Sequence, residues 1–160
     1  LQLVFIYLVI AVYFMQNKLS ENFTYDELAQ SEVANRMGFD NTPPPAAYEN
    51  LIRLANKLEE VRTLLNKPIM VTSAYRCQAV NAAVGSKPSS QHRVGCAADI
   101  RVPGMTPDEV VKSIKESGIE YDQLIREFDS WTHISVPNTP NLQPRKQALI
   151  IDKQGTKSYA

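Results

Sequence analysis

Ser90-Gln91-His92-Arg93-Val94-Gly95-Cys96-Ala97-Ala98-Asp99 is the stretch on which the reading of this chain turns. It follows Gly85-Ser86-Lys87-Pro88-Ser89-Ser90, a run of turn formers, and leads into Ala97 to Val102, a strand-like segment. His92 and Asp99 are too far apart for one helix turn but suit a loop that feeds a strand. From there an imidazole nitrogen and a carboxylate oxygen can both reach one zinc ion at ~2.0–2.2 Å. Gly95 lets the backbone turn between them without steric cost. Small Ala97 and Ala98 leave room beside the strand. The plainer alternative is a surface-loop histidine with a strand-end aspartate, and spacing alone does not choose between the two.

Upstream, the elements are mostly helical. Thr24-Tyr25-Asp26-Glu27 fits a capping box. It predicts a helix to about Arg36, ended by Gly38. Pro43, Pro44 and Pro45 mark a rigid turn into a second helix. Leu51, Leu54, Leu58, Val61 and Leu65 recur at three and four, one buried face of a long helix closed by Asn66-Lys67-Pro68. Ile69 to Ser73 reads as a core strand, and a short helix spans Gln78 to Val84. Downstream, Thr106-Pro107-Asp108-Glu109 repeats the capping box, and its helix ends at Gly118. Strand-like runs follow at Tyr121 to Glu127, Trp131 to Val136 and Lys146 to Ile151. Helices first and strands later, with one helix interposed, predict an α+β fold with an antiparallel sheet packed against N-terminal helices.

Composition narrows the function. The chain has 160 residues, 44% hydrophobic and 21% charged, which suits one globular domain with a core of ordinary size. Lys plus Arg and Asp plus Glu each number 17, giving zero formal charge. Without a basic surplus there is no electrostatic grip on a nucleic-acid backbone, so nucleic acid is not an expected partner. Residues 1–15 are apolar apart from Gln2, yet shorter than the ~20 residues of a spanning helix. They lack a basic flank and a small-residue cleavage site. A truncated anchor or signal, an ordered apolar segment, and an upstream extension foreign to the natural product all remain readings, the last because Met15 stands where polar sequence begins. We divide the chain into this segment, 1–19, and one domain over 20–160. Membrane contact is expected only if 1–15 is a true anchor, and the domain is expected to be a monomer.

Two further stretches carry chemistry. Glu127-Phe128-Asp129-Ser130-Trp131-Thr132-His133 places the second of only two histidines in a strand-like run. A strand histidine is most often a half-buried partner to a carbonyl. Two imidazoles and one carboxylate, with a fourth position open to water, are nevertheless the usual form of a catalytic zinc centre. Glu127 can face that water across a hairpin as general base. Thr72-Ser73-Ala74-Tyr75-Arg76-Cys77 places an arginine just after a core strand, where it forks onto a substrate carboxylate or a developing oxyanion, or pairs with a structural acid. Cys77 and Cys96 are open to three readings: two small buried thiols, a disulfide, or a thiolate ligand that would close the metal site.

Taken in this order, the three segments resemble the M15 metallopeptidases, the zinc D-Ala-D-Ala carboxypeptidases and phage peptidoglycan endopeptidases. That family's Ser-x-His-x-x-Gly-x-Ala-x-Asp matches from Ser90 to Asp99, and its Trp-x-His matches at Trp131-Thr132-His133. Ser-Ala-Tyr-Arg ending at Arg76 is similar to the family's Ser-Gly-Tyr-Arg, with Ala74 in place of glycine. Gln123 to Phe128 looks like the smaller single-domain members. The resemblance covers roughly Asn22 to Ile151.

The resemblance implies a Hedgehog/D-Ala-D-Ala-peptidase-like fold and one Zn2+ held by His92, Asp99 and His133. It implies that Arg76 meets the substrate's carboxylate or carbonyl. In some members the base stands three residues before the last histidine, where this chain has Ser130. Glu127 is the expected base instead, as similarly spaced in the Hedgehog domain, with Asp129 as the alternative. Ser90, Tyr75 and Trp131 are expected at the substrate, although both aromatics are equally readable as core. The expected partners are stem peptides of bacterial peptidoglycan, cut by a carboxypeptidase or an endopeptidase, whether in a periplasm, at a host wall or from a phage. The rival expectation is a zinc-stabilised binding module, or a phage structural module, with the same fold and no turnover.

Overall fold

Ser135 ends a strand, and twelve residues later the chain re-enters the sheet on the far side of its neighbour. That crossing sets the topology of the computed structural model, which describes residues 2–160, the side chains of 13–16 excepted. Leu1 and the Met15 side chain therefore lie outside the described residues. In order, the helices before the sheet are α1 (Gln2–Asn17), α2 (Tyr25–Ala29), α3 (Glu32–Met37) and α4 (Pro45–Leu65). Then come β1 (Met70–Ser73), α5 (Gln78–Ala83), a 3-10 turn (Gln91–Val94) and β2 (Ala97–Arg101). The chain continues through α6 (Pro107–Ser117), β3 (Gln123–Glu127), β4 (Trp131–Ser135), β5 (Gln147–Asp152) and β6 (Gly155–Ser158).

The strand order is β1-β2-β4-β3-β5-β6. The architecture is α+β as expected, but the sheet is mixed rather than purely antiparallel, because β3 and β5 run parallel. The reason is geometric. β4 already has β2 on its other edge, so no tight hairpin can follow it. The chain crosses through Pro137 to Lys146 to the vacant edge of β3 and enters β5 at the end where β3 begins. Lys146 donates its amide to the Tyr121 carbonyl at 3.1 Å, and Gln147 does so to Asp122 at 3.0 Å, fixing that entry.

Both capping boxes form. Glu27 donates its amide to Thr24 Oγ1 at 3.3 Å and Glu109 donates to Thr106 Oγ1 at 3.2 Å. The helix predicted to run to Arg36 is split in two, since Ser31 caps a new start by accepting from the Ala34 amide at 3.1 Å. Leu51, Leu54, Leu58 and Val61 of α4 are fully buried, whereas Leu65 only packs at the edge of the core. Each such buried aliphatic side chain contributes about 1.5–3 kcal/mol. They meet Ile100, Ile134 and Leu124 from the sheet and Val111 and Ile114 from α6 in one core.

One close approach locks this core to the motif loop. Gly95 has φ +75, and a Cβ there would stand 2.6 Å from the Ala47 carbonyl oxygen of α4. Only glycine lets the loop press so near the helix while adopting a left-handed backbone. Asn50 of α4 adds a hydrogen bond from Nδ2 to the Val94 carbonyl at 2.9 Å.

In α1 the apolar side chains from Leu3 to Ile10, together with Val12, are exposed. Among the described residues no helix is long and apolar enough to cross a membrane.

Candidate metal centre and cleft

Adjacent strands put the candidate ligands side by side. Asp99 on β2 is the register partner of His133 on β4. Side chains alternate along a strand, so Asp99, His133, Trp131 and Glu127 share one face of the sheet. The helices α4 and α6 pack on the other. His92 reaches the same point from the 3-10 turn, whose start is capped by Ser90 Oγ accepting from the His92 amide at 3.3 Å.

Three potential donor atoms converge. His92 Nε2 lies 3.3 Å and His133 Nδ1 3.0 Å from the same oxygen, Asp99 Oδ1. The three residues are buried and form a group able to hold a metal ion. The rings of His92 and His133 meet edge to face, with centroids 5.1 Å apart.

The proton inventory decides what the cluster fits. His92 Nδ1 lies 2.7 Å from the Ala74 carbonyl oxygen, which only accepts, so Nδ1 carries the hydrogen. Burial pushes the His92 pKa below its ordinary value, and the nearby Asp99 carboxylate opposes this without overcoming it. A neutral His92 then turns a bare lone pair from Nε2 toward Asp99 Oδ1. Asp99 is also an acceptor only: Arg76 donates to its Oδ2 at 2.8 Å, which favours the ionised carboxylate. Two acceptors facing each other at 3.3 Å call for a cation between them. Tetrahedral ligands at ~2.0–2.2 Å from zinc stand roughly 3.3–3.6 Å apart, so the donor set fits that ion.

Arg76 sits behind the cluster. Its Nη2 donates to Asp99 Oδ2 at 2.8 Å and its Nε to Ser73 Oγ at 3.0 Å. The arginine thus pairs with the candidate ligand and fixes which carboxylate oxygen faces the histidines. Nη1 has no partner among the described residues.

A cleft of ≈ 540 Å³ opens over the cluster, lined by Arg76, Ser90, Glu127 and Trp131 among others. Glu127 Oε1 is 3.9 Å from His133 Nδ1. Burial pushes its carboxyl above the ordinary value, with the neighbouring Arg76 guanidinium partly countering this. Asp129 is elsewhere: it is exposed in the β3–β4 turn, pairs with Arg126, and borders a different cavity behind the sheet. Tyr75 does not line the cleft either. It is buried in the core beside Leu28, whose carbonyl accepts its amide at 2.9 Å. Cys77 and Cys96 are free thiols outside the metal cluster. Burial pushes the Cys96 thiol up to about 11.

Sequence reasoning missed part of this wall. Val84, Gly85, Ser86 and Phe128 also line the cleft. The available signal was a phenylalanine in a hairpin turn, where polar residues and glycine are usual. Phe128 and Asp129 have φ +50 and +51, which costs about 1–3 kcal/mol for residues of this kind. It also missed the support beneath the 3-10 turn. Gln91 Nε2 donates to Asp122 Oδ2 at 3.0 Å, and Arg145 Nε and Nη2 donate to the same oxygen at 3.0 and 2.6 Å. Nothing in the local sequence announces a link that joins residues so far apart in the chain.

Against known proteins, a family model described as Peptidase M15 matches residues 21–135, well over half of the chain. That span holds all three candidate ligands, Arg76 and Glu127. A search of curated proteins finds no match.

Proposed function

This chain belongs to the peptidase M15 family, and on that premise we propose that it is a zinc peptidase hydrolysing D-amino-acid-containing peptides of bacterial peptidoglycan. The observation that carries the reading is the convergence of His92 Nε2, His133 Nδ1 and Asp99 Oδ1 with no proton to share between the first and the last. The family is zinc-dependent, and its ion would be held by these three side chains, leaving a coordination position toward the cleft.

A zinc ion in this place supplies Lewis acidity at the scissile carbonyl and acidifies water to a pKa of ~7. The chain's own residues do the rest. Ala74 holds His92 in the tautomer that leaves Nε2 free. Arg76 keeps Asp99 Oδ1 turned toward the histidines, and its Nη1 donates to a substrate oxygen on which negative charge develops. Glu127 takes the proton from the attacking water and delivers it to the leaving nitrogen. Burial raises its pKa above the ordinary carboxyl value, the direction that favours accepting a proton. Asp129 is poorly placed for this role, since it borders another cavity.

The test is hydrolysis of purified bacterial cell wall by zinc-loaded protein, read by mass spectrometry of the released muropeptides, with and without chelator. New termini at D-alanine bonds that vanish with chelator are the expected result. An unchanged muropeptide profile from protein carrying one zinc per chain would sink the reading and leave a zinc-stabilised module without turnover.

A further inference from the structure

The β3–β4 turn carries a large apolar ring that lies outside the buried core. Phe128 is about half exposed (48%), its backbone is left-handed at φ +50, and its ring lies 5.7 Å from that of Trp131. The turn is held in this shape from several sides. Phe128 donates its amide to the Ile151 carbonyl at 2.8 Å, Ser130 to the Glu127 carbonyl at 2.9 Å, and Arg101 Nε and Nη2 bond Ser130 O and Oγ at 2.9 and 2.8 Å. A strained residue that its surroundings over-determine, and whose side chain faces a cleft, is a mark of function rather than packing.

We propose that Phe128 is a specificity-determining residue: with Trp131 it forms an apolar shelf at the mouth of the cleft that receives an apolar side chain of the peptide, one residue before the one whose carbonyl reacts. The inference rests on the peptidase reading of the metal centre. Both rings line the same cleft as His92, Asp99 and His133. Trp131 and His133 lie two residues apart on one face of β4, so their Cα atoms are about 7 Å apart along the strand. An extended peptide advances about 3.3 Å per residue. With its reacting carbonyl at His133, it lays a side chain one to two residues away across the two rings. The two rings themselves carry no charge, and Glu127, the register partner of Trp131, is the acid that lines the cleft beside them. The rings therefore favour an aliphatic contact over a polar one of equal size.

Two probes, Nα-acetyl-Leu-D-Ala-D-Ala and Nα-acetyl-Asn-D-Ala-D-Ala, differ in polarity but hardly in size. Their binding is followed by the fluorescence of Trp131, the sole tryptophan of the sequence, in zinc-loaded protein carrying Glu127→Gln to prevent turnover. The leucine probe is expected to bind about ten-fold tighter, the range that a few methylenes give in an apolar site. Adding Phe128→Asn should bring the two probes to near equality. Asparagine tolerates the left-handed backbone, so this variant should melt no lower than its parent. Phe128→Gly provides a second variant with the same relief. Equal binding of the probes by the Phe128 protein, no binding of either, or a preference that survives both substitutions overturns the shelf. If the preference exists and is lost with Phe128, yet protein with Glu127 intact cleaves neither probe, the shelf stands and the peptidase reading falls.

Discussion

His92 is tied through Nδ1 to the backbone carbonyl of Ala74, 2.7 Å away and eighteen positions earlier in the chain. A main-chain acceptor cannot titrate or rotate away, so the neutral ring is held in the tautomer that carries its hydrogen on Nδ1. Ala74 in turn ends the segment that places Arg76, whose amide donates to the His92 carbonyl at 3.0 Å. The motif loop and the strand-end arginine are thus two halves of one support for the candidate metal centre.

Removing any one of the three converging side chains should remove the metal. His92→Ala, His133→Ala and Asp99→Asn are each expected to fall from one zinc per chain to substoichiometric zinc after dialysis, measured by atomic absorption. Arg76→Gln should keep the site but weaken it about 10–100-fold, the usual cost of losing a group that orients a ligand. Stoichiometric zinc in either histidine variant would show that the ion, if any, binds elsewhere.

Glu127→Gln separates binding from chemistry. Glutamine keeps the shape and the hydrogen-bonding oxygen but cannot take a proton. Zinc content should be unchanged while hydrolysis of wall peptides drops by roughly 10²–10⁴. Asp129→Asn, by contrast, should leave turnover within about two-fold, because that carboxylate borders a different cavity. The reverse pattern would move the base from Glu127 to Asp129.

Gly95→Ala tests the approach of the motif loop to α4. The added methyl combines a left-handed backbone with a contact of 2.6 Å to the Ala47 carbonyl oxygen. The two penalties together should cost at least about 2 kcal/mol, seen as a lower midpoint in urea unfolding. A variant as stable as its parent would mean that loop and helix separate without loss.

The Asp122 node predicts an acid-side slope. Burial alone would raise the Asp122 pKa, but hydrogen bonds and charge from Arg145, with help from Gln91, hold it below the ordinary carboxylate value. A carboxyl depressed in the folded state contributes stability that is full above its unfolded pKa of about 3.9 and is lost as pH falls through the folded value. Thermal midpoints of the parent should therefore fall between roughly pH 5 and pH 3, and Asp122→Asn should show a flatter slope over that window. Parallel curves for the two proteins would remove Asp122 from the account.

The parts of the fold legible in sequence were those governed by local rules. The capping boxes at Thr24 and Thr106, the buried stripe of α4 and the strands beside Asp99 and His133 follow from periodicity and turn chemistry. The grouping of His92, Asp99 and His133 was legible because a family pattern compresses long-range geometry into short motifs. What stayed hidden depended on contacts made only after folding. The parallel entry of β5 follows from which sheet edges are vacant, and the break at Gln30 from Ser31 outcompeting helix continuation. β6, fully exposed, carries no alternation of apolar residues to reveal it. Tyr75 shows the same limit at the site: its position beside Arg76 suggests the cleft, but the strand end turns its ring into the core.

The crossing that makes the sheet mixed has one more effect. Without β5, strand β3 would be the outermost strand, with Glu127 at the end of a row of unpaired amides and carbonyls. Such a row is a template on which any extended chain can pair, including another copy of the protein or a peptide bound in the wrong frame. β5 covers that row from Gln123 to Glu127. The new border, β6, is only four residues long, begins with a glycine and carries Lys157, features that discourage further pairing. The last two strands thus act as a selvedge, finishing the sheet so that peptides meet it through the cleft and not along its side.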